Sequence, residues 1–426
     1  SPQPGTAFPV RVPWVAGGLC AAGLVALLDR LRRAQRKRRV PGDPIHNPPA
    51  ELAPIETGLR RSATRTEDRC LLLDAALRAF AAGAFGDPSM RTPRLLAVRS
   101  YPDSVELLLD EPLEGSVLGF TAQSGSRLWV TEPGMTVDLL LRLADEVAAP
   151  YPALVTIGEV DGGDLLVDIE TAGSLAIVPD DRRDRDLFRR VAIELATSRW
   201  GEYFDVITVG EVPDFAGFER NRRFASVGEA LDALAATARE IDESLLHLGA
   251  HATIAPRVTF ALGDGWIPSI FVTDQTLGAA DAERLRSIVG EGGRGVGALL
   301  FGVAQAHWTV ACRENHAYLA PLGIELIPLT MPADHAAAVE DLLADAAVGH
   351  LTTEGLTTPE PTLLPIPEQP PEPVDMATTA EQQVKEDVAP TAPPASPEQT
   401  TLDVHDEIAK PADPPLVRVL GAVGID

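Results

Sequence analysis

The stretch that most constrains the fold is residues 151–210, where short apolar runs surround one amphipathic helix. Most of these runs are bounded by Gly, Asp or Pro, as buried strands are. The four predicted strands are Ala153–Ile157, Leu165–Ile169, Leu175–Val178 and Phe204–Val209. Between the last two, Asp184–Ser198 repeats apolar residues at helical spacing, with Leu187, Val191 and Leu195 on one face. A strand that leads into a helix and then into another strand is the βαβ unit of a parallel sheet.

In a nucleotide-binding protein, the loop between such a strand and its helix holds the phosphates. The corresponding loop here, residues 179–186, reads PDDRRDRD, with no Gly, no Lys and four acidic residues. A phosphate loop needs G-x-x-x-x-G-K-[ST], because its glycines let backbone N–H groups approach the phosphates and its Lys reaches the terminal oxygens. The chain contains no such motif. The sequence therefore predicts a degenerate nucleotide-binding fold, and we predict no catalytic residue, no metal site and no cofactor.

Three other patterns bear on ligand binding. Asp274 ends an apolar run, as does the acid that orients magnesium in NTPases. Because the chain has no phosphate loop, Asp274 is either a vestigial candidate for a nucleotide site or a residue that simply ends a strand. Gly290–Gly297 is rich in glycine but precedes a strand, which favours a flexible connection, with Arg294 as a candidate relic of an anion contact. His247 and His251 have a spacing that two metal ligands can use, but no third ligand is apparent.

Beyond this stretch, strands alternate with helices as far as residue 349. We therefore predict that residues 151–349 form an α/β domain with a largely parallel sheet and flanking helices. Residues 66–150 read as an α+β lead-in region that packs on this sheet and opens with a helix at Thr66–Ala84, capped by Thr66. A further strand is expected at Arg257–Ala261.

The N-terminal region joins an apolar run to a dense basic run. Residues 8–28 have the length of a transmembrane helix, with Trp14 where an interfacial aromatic would lie. Residues 29–39 then form a basic juxtamembrane stop, whose cations are Arg30, Arg32, Arg33, Arg36, Lys37, Arg38 and Arg39. A signal peptide has its cations before the apolar run, so cations after it argue against one. They also predict that the following chain is cytoplasmic and that the basic residues contact anionic lipid. We therefore predict a single-pass protein of the cell membrane, with a linker at residues 40–65.

Composition changes again near the C-terminus. Residues 350–415 are rich in Pro, Thr, Glu and Ala, which predicts a disordered acidic linker. Residues 416–426, LVRVLGAVGID, read as the first strand of a further domain, and because the chain starts without Met we expect a fragment of a longer protein. The net charge of −26 argues against a large nucleic-acid-binding face. The three cysteines, Cys20, Cys70 and Cys312, match no metal or disulfide spacing, which fits a reducing compartment.

Several of these stretches together resemble a known group of proteins. They are the apolar run, RRAQRKRRVPG, YPALVTIGEVDGGDLLVDIETAGSLAIVP, ELATSRW and LVRVLGAVGID. The chain resembles large actinobacterial membrane-anchored regulators of the lysin-motif and bacterial transcriptional activator domain type. The resemblance implies a winged-helix DNA-binding domain near the C-terminus, of which only the opening strand at 417–421 is present.

The α/β region is also similar, more distantly, to the RecA-like ATPases of DNA translocases and type VII secretion. In those proteins, the segment that corresponds to residues 176–196, AIVPDDRRDRDLFRRVAIELA, holds the phosphate loop and its helix. The similarity implies a P-loop-NTPase-like fold. This sequence departs from the pattern at the glycines, the Lys and the Ser or Thr.

Two main hypotheses follow, beside a third, which is a plain membrane-tethered structural module. The first is a membrane-anchored cytoplasmic sensor or scaffold region of a transcriptional regulator, in which the α/β domain binds a protein partner or effector. DNA binding would then belong to a domain beyond the C-terminus. The alternative is an NTPase-like motor or secretion component with a degenerate nucleotide site. The order of segments favours the first, and a complete phosphate loop would have favoured the second.

Overall fold

The structure is a computed structural model of the 426-residue chain. The residues it describes are 18–38, 49–86, 92–144, 147–179, 182–200, 205–213, 220–260, 266–302 and 306–347. The predicted disordered linker (350–415) and opening strand (416–426) lie outside these residues, as does the first part of the predicted membrane span (8–17).

Helices and strands alternate along most of the described chain. The helices are α1 (Gly18–Arg38), α2 (Ala53–Ala84), α3 (Val137–Ala144), α4 (Ile169–Ala172), α5 (Arg182–Ala196), α6 (Val227–Leu248), α7 (Ile254–Phe260), α8 (Ala279–Val289) and α9 (Ala333–Ala347). The strands are β1 (Leu95–Ser100), β2 (Val105–Leu109), β3 (Phe120–Gln123), β4 (Leu128–Thr131), β5 (Leu154–Val160), β6 (Gly163–Asp168), β7 (Ser174–Val178), β8 (Asp205–Val209), β9 (Asn221–Arg223), β10 (Ser269–Thr273), β11 (Val296–Phe301), β12 (Trp308–Arg313), β13 (His316–Ala320) and β14 (Ile324–Pro328).

These strands form one 14-stranded sheet, in the order β3-β4-β2-β1-β6-β5-β14-β13-β12-β7-β11-β10-β8-β9. From β3 to β12 each neighbouring pair is antiparallel, and from β12 to β9 each pair is parallel. We call β7–β12 the parallel half, and β1–β6 with β13 and β14 the antiparallel half. The prediction of a largely parallel sheet is therefore right for the parallel half and wrong for the sheet as a whole.

The misassigned strands are β5 and β6, which the sequence placed in a parallel domain starting at residue 151. They form a hairpin in which Val160 pairs with Gly163 across a two-residue turn. Asp161 and Gly162 have φ angles of 52° and 78°, and positive φ at both central positions defines the type I′ turn that favours Asp-Gly. The turn makes β6 antiparallel to β5. On its other side, β6 pairs antiparallel with β1, so residues 151–168 belong with the lead-in region.

The parallel half has the P-loop-like arrangement that the sequence predicts. Numbered along the chain, β7, β8, β10, β11 and β12 are strands one to five, and their order in the sheet is 5-1-4-3-2. Helix α5 packs with α1 and α9 in one apolar cluster, while α6 and α8 pack with the strands in another. Helices on both faces explain why β7, β10 and β11 are almost fully buried.

Helix α1 corrects the predicted membrane span. Residues 18–28 run without a break into the basic residues that were predicted to follow the membrane, and Cys20, Leu24 and Leu28 are buried. They pack on α5 and α9, against side chains such as Ile193. Among the described residues, no helix has both the length and the apolar character needed to cross a membrane. An Ala- and Leu-rich helix can be buried by neighbouring helices as well as by lipid, and the sequence alone did not separate the two.

Helix α2 corrects the predicted linker at residues 40–65. It begins at Ala53, with Pro54 in its first turn, where the missing N–H of proline costs nothing. Thr66, the predicted N-cap, lies inside the helix and donates a hydrogen bond to the carbonyl oxygen of Ser62 at 2.8 Å. Pro54 is therefore compatible with a helix start in the predicted linker.

The predicted strand at Arg257–Ala261 is also wrong, since residues 254–260 form α7. Pro256 lies in the first turn of this helix, and the N–H of Arg257 donates to the carbonyl of Thr253 at 3.0 Å. Strands β3, β9 and β13 were not predicted from the sequence.

Candidate functional site

The candidate site lies at the C-terminal end of β7. This strand lies between β11 and β12, so the sheet continues on one side through β10 and β8 and on the other through β12. In open α/β sheets, ligands bind at such a topological switch point, outside the carboxyl ends of the strands. The predicted nucleotide position, the loop at residues 179–186, therefore belongs to this edge of the sheet.

The connection from β7 to α5 is short. β7 ends at Val178 and α5 begins at Arg182, so only three residues separate the strand from the helix. A phosphate loop spans more residues, because several successive N–H groups must surround the phosphates before the helix begins. The short acidic turn therefore lacks both the length and the residue types of a phosphate loop.

Asp274, the vestigial candidate, immediately follows β10 at this same edge. Its carboxylate is engaged by the protein itself: Oδ1 accepts a hydrogen bond from the N–H of Glu211 at 2.9 Å, and Oδ2 lies 3.4 Å from the guanidinium of Arg185. Gly210, with φ of +94°, makes room for this carboxylate, since a Cβ there would lie 2.2 Å from Oδ1. The carboxyl group thus joins the ends of β8 and β10 to helix α5.

Arg185 completes the arrangement from the first turns of α5. Its guanidinium carbon lies 4.7 Å from the centre of the Phe301 ring at the end of β11, a cation–π distance. The Phe301 ring in turn contacts Phe188, with ring centres 5.5 Å apart. We call Arg185, Asp274 and Phe301 the edge triad. Arg185 neutralises the acid and covers the end of β11 at the switch-point edge of the sheet.

Helix α5 is fixed firmly behind the edge triad. Asp184 is fully buried and accepts a hydrogen bond from the N–H of Cys312 in β12 at 2.9 Å. Arg190, also fully buried, donates to the carbonyl of Thr156 at 2.5 Å and pairs with Glu194 at 2.9 Å. Burial raises the pKa of Glu194, although Arg190 opposes this rise. These contacts tie α5 to both halves of the sheet and hold Arg185 in place.

A second polar cluster lies at the other end of β7, just before the strand begins. Glu170 in α4 is almost completely buried. Its Oε2 pairs with Arg257 at 3.0 Å, and its Oε1 accepts hydrogen bonds from Thr253 and from the N–H of Gly295, the latter at 2.9 Å. We call these four residues the Glu170 cluster.

The glycine-rich loop at 290–297 belongs to this cluster. The N–H of Gly293 donates to the carbonyl of Glu170 at 2.8 Å, next to the bond from Gly295 to the carboxylate. Gly295 has φ of +77°, and a Cβ there would lie 2.3 Å from Ile241. The loop does approach an anion with its backbone, as nucleotide-binding loops do, but the anion is a side chain of the protein.

Asp168 and Tyr151 lie beside the Glu170 cluster and line a small cleft with a volume of about 30 Å³. Oδ2 of Asp168 accepts hydrogen bonds from the N–H and hydroxyl of Thr171 at 2.8 and 2.6 Å, which caps α4. Its Oδ1 and the Tyr151 hydroxyl are buried, with no hydrogen-bond partner among the described residues. Burial, with Glu170 nearby, raises the pKa of Asp168 to about 7, and burial also raises the pKa of Tyr151.

The remaining candidates have structural contacts. Arg294 pairs with Asp242 at 2.6 Å, on the surface. His247 and His251 lie at the end of α6, and no cluster of three or more His, Cys, Asp or Glu suited to a metal occurs in the described part of the chain. The three cysteines are buried and unbridged, and burial raises the pKa of Cys20 and Cys70 to about 12.

Sequence reasoning placed Asp274 at the sheet edge but missed Arg185 and the Glu170 cluster. One signal pointed to the cluster: the run LLVDIETAGSLAIV carries two acids, Asp168 and Glu170, inside a stretch that reads as buried. Buried acids need partners. The sequence alone did not show that the partners come from α7 and the glycine-rich loop.

Comparison with known proteins gives no family for the chain. No family model matches it, and no curated protein matches it. Among solved structures, the conjugation coupling protein TcpA of pCW3, a monomer form with ATPγS, is similar at 10% identity and a TM-score of 0.33, over 63% of this chain and 98% of TcpA.

Two structures of EssC are similar over a shorter span. The cytoplasmic domain of EssC matches at 11% identity and a TM-score of 0.30, over 53% of this chain and 56% of that structure. ATPases 2 and 3 of EssC from Geobacillus thermodenitrificans match at 9% identity and a TM-score of 0.33, over 47% and 50%. The chain thus spans about half of each EssC structure, and similarities of this size assign no activity.

The comparisons correct the first functional hypothesis. The similar structures are a conjugation coupling protein and parts of EssC, one of them its ATPases 2 and 3, which contradicts the expected sensor or scaffold region of a transcriptional regulator. Neither they nor the described residues support DNA binding or a winged helix. In the described residues, the stretches that carried the resemblance to regulators form α1, the segment from β5 to β7 and the end of α5, and such elements occur in many folds.

Proposed function

We propose that the chain is an NTPase-like component of a motor or secretion assembly, in which the nucleotide position is closed and the domain acts through protein contacts. The observation that carries the proposal is the edge triad. The parallel half has the strand order of a P-loop-like fold, and at its switch point an arginine, its paired acid and an aromatic ring occupy the edge that a nucleotide would need.

The turn between β7 and α5 supports the same proposal. It is too short for a phosphate loop and supplies no lysine. Because Asp274 is already paired with Arg185, it has no free carboxylate oxygen for magnesium unless that pair opens. The class of assembly comes from the sequence similarity to RecA-like ATPases of translocases and type VII secretion.

Calorimetry on the full chain with magnesium and ATP or GTP tests the closed site. We expect no binding and no phosphate release. The variant Arg185→Ala, which opens the edge triad, is a matched sample and is also expected to release no phosphate, because the lysine and the loop are still missing. Micromolar nucleotide binding by the parent chain would overturn the closed site.

Proximity labelling in the native cell tests the assembly. A subunit that does not hydrolyse nucleotide needs a partner that does, so we expect enrichment of a P-loop ATPase with a complete phosphate loop. The control is a tagged chain with the substitution Leu342→Asp, which buries a charge in α9 and is expected to misfold the chain. Its edge triad is unchanged. Equal enrichment by both chains would contradict the proposal.

A further inference from the structure

Helices α1 and α2 form a hairpin that is joined by ion pairs. Asp29 pairs with Arg60 at 2.6 Å, and Glu56 is shared by Arg32 and Arg60. The side chains of Glu56 and Arg32 are only 14% and 17% exposed. Asp29 and Glu56 are therefore already engaged in joining the helices.

The outward side of the hairpin is basic. It presents Arg33, Arg36 and Lys37 on α1, with Arg61 and Arg65 on α2, and all five are exposed. We call these five residues the basic face. Among the described residues, Arg36, Lys37, Arg61 and Arg65 make no ion pair, and Arg33 donates only to the carbonyl of Asp29 in its own helix.

The basic face contrasts with the rest of the chain. The two helices carry eleven Lys and Arg against five Asp and Glu, whereas the whole chain has a net charge of −26. Glu51 and Asp68 are exposed acids close by in sequence, and they do not balance the five cations. Exposed positive charge is thus concentrated on two neighbouring helices of an acidic protein.

Helix stability does not account for this concentration. Cations in the last turn of a helix interact favourably with its dipole, which covers Arg36 and Lys37 in α1. Arg61 and Arg65, however, lie two to three turns inside α2, beyond the reach of either end. Their exposed positions without partners are better explained by an external anion.

We propose that the basic face binds the surface of an anionic lipid bilayer. Two neighbouring helices present five long, exposed cations, and each cation near such a surface gains about fivefold in affinity. The sole aromatic residue of the two helices, Phe80, is buried, so the face offers no ring on which a nucleic-acid base would stack. Since the apolar side of α1 is buried by protein, the contact is peripheral.

Vesicle flotation with the full chain tests the proposal. We expect binding to vesicles of phosphatidylcholine with phosphatidylserine, loss of binding at high salt, and no binding to phosphatidylcholine alone. The double variant Arg61→Gln with Arg65→Gln should bind on the order of twentyfold more weakly.

The matched control is Arg142→Gln with Arg239→Gln. These arginines are also exposed on helices and contact only a carbonyl of their own helix, so the control removes the same charge elsewhere. We expect it to bind within about twofold of the parent. Circular dichroism checks that both variants are folded.

Three results would overturn the proposal. The first is absence of binding to the acidic vesicles. The second is equal weakening in both double variants, which would indicate general charge. The third is that the parent binds short duplex DNA but no vesicles, and that the double variant at Arg61 and Arg65 loses this DNA binding. The basic face would then recognise nucleic acid.

Discussion

The two ends of β7 each hold a carboxylate paired with an arginine, in opposite surroundings. At the C-terminal end, the Arg185 side chain is 49% exposed and that of Asp274 is 10% exposed. At the N-terminal end, Arg257 and Glu170 are 6% and 2% exposed. The first pair meets across 3.4 Å, whereas the second is supported by Thr253 and by the N–H of Gly295.

The two ion pairs therefore differ in how much they contribute to the stability of the fold. A half-exposed pair is worth little, so the C-terminal pair can open at small cost. A buried pair cannot lose one member cheaply, because the other is left as an uncompensated charge. The end of β7 where ligands usually bind is therefore the adaptable one, and the opposite end holds α4, α7 and the glycine-rich loop together.

The largest expected effect comes from breaking the buried pair. Arg257→Met keeps most of the side-chain volume but leaves Glu170 without its cation, and we expect a loss of about 3–5 kcal/mol in the free energy of unfolding. Urea denaturation measures it. The double variant Arg257→Met with Glu170→Gln should recover part of the loss; if it were no more stable than the single variant, the buried charge would not be the cause.

A smaller loss is expected from the loop that donates to Glu170. Gly295→Ala forces a side chain into a positive-φ position and against Ile241, at a cost of about 2–3 kcal/mol. Gly290→Ala is the control, since φ there is +59° but nothing lies within 4 Å of the added carbon. It should cost about 1 kcal/mol. Thermal unfolding of both variants measures the difference, and equal losses would contradict the role of close packing.

Asp168→Asn should stabilise the protein at neutral to alkaline pH. The pKa of Asp168 is raised from 3.8 to about 7, so the folded state binds more protons than the unfolded state across that window. The free energy of unfolding therefore falls as pH rises through it. Asn keeps an acceptor for Thr171 and cannot ionise.

We expect the variant to be about 1–3 kcal/mol more stable than the parent at pH 8, and similar to it at pH 4. Urea denaturation at both values measures this. Glu170→Gln, in the same region, removes the partner of Arg257 and should destabilise at both pH values. A gain from Asp168→Asn that did not depend on pH would exclude ionisation as its cause.

The smallest effect is expected at the exposed end. Arg185→Ala removes the partner of Asp274 and the contact with Phe301, and it should cost less than about 1 kcal/mol, because the pair is open to water. Denaturation alongside Arg257→Met tests the comparison directly. A loss as large as that of Arg257→Met would show that the edge triad is structural rather than adaptable.

Much of the parallel half was predictable from the sequence. Its strands are apolar runs flanked by turn residues, and α5 and α6 each carry an apolar face at helical spacing, so local pattern and final fold agree. Asp274 could be placed because an acid directly after a buried strand lies at the sheet edge. The absence of a phosphate loop was also readable from residue types alone.

The parts that failed depend on information that is not local. The Asp161-Gly162 turn was a hairpin signal, but β5 was interpreted by its apolar content rather than by its turn. The burial of α1 depends on α5 and α9, which are distant in the chain. The Glu170 cluster needs α7, which was predicted as a strand, so its Arg257 was assigned to the wrong element.

The position of β7 between β11 and β12 has a consequence for synthesis of the chain. The strands β1, β2 and β6 find their neighbours soon after they leave the ribosome, whereas both neighbours of β7 are encoded far downstream, from Val296 onward. At ordinary translation speeds, an apolar strand with two open edges waits on the order of ten seconds for its partners. During that interval the nascent chain carries its main aggregation hazard, and a chaperone that covers residues 174–178 would protect it.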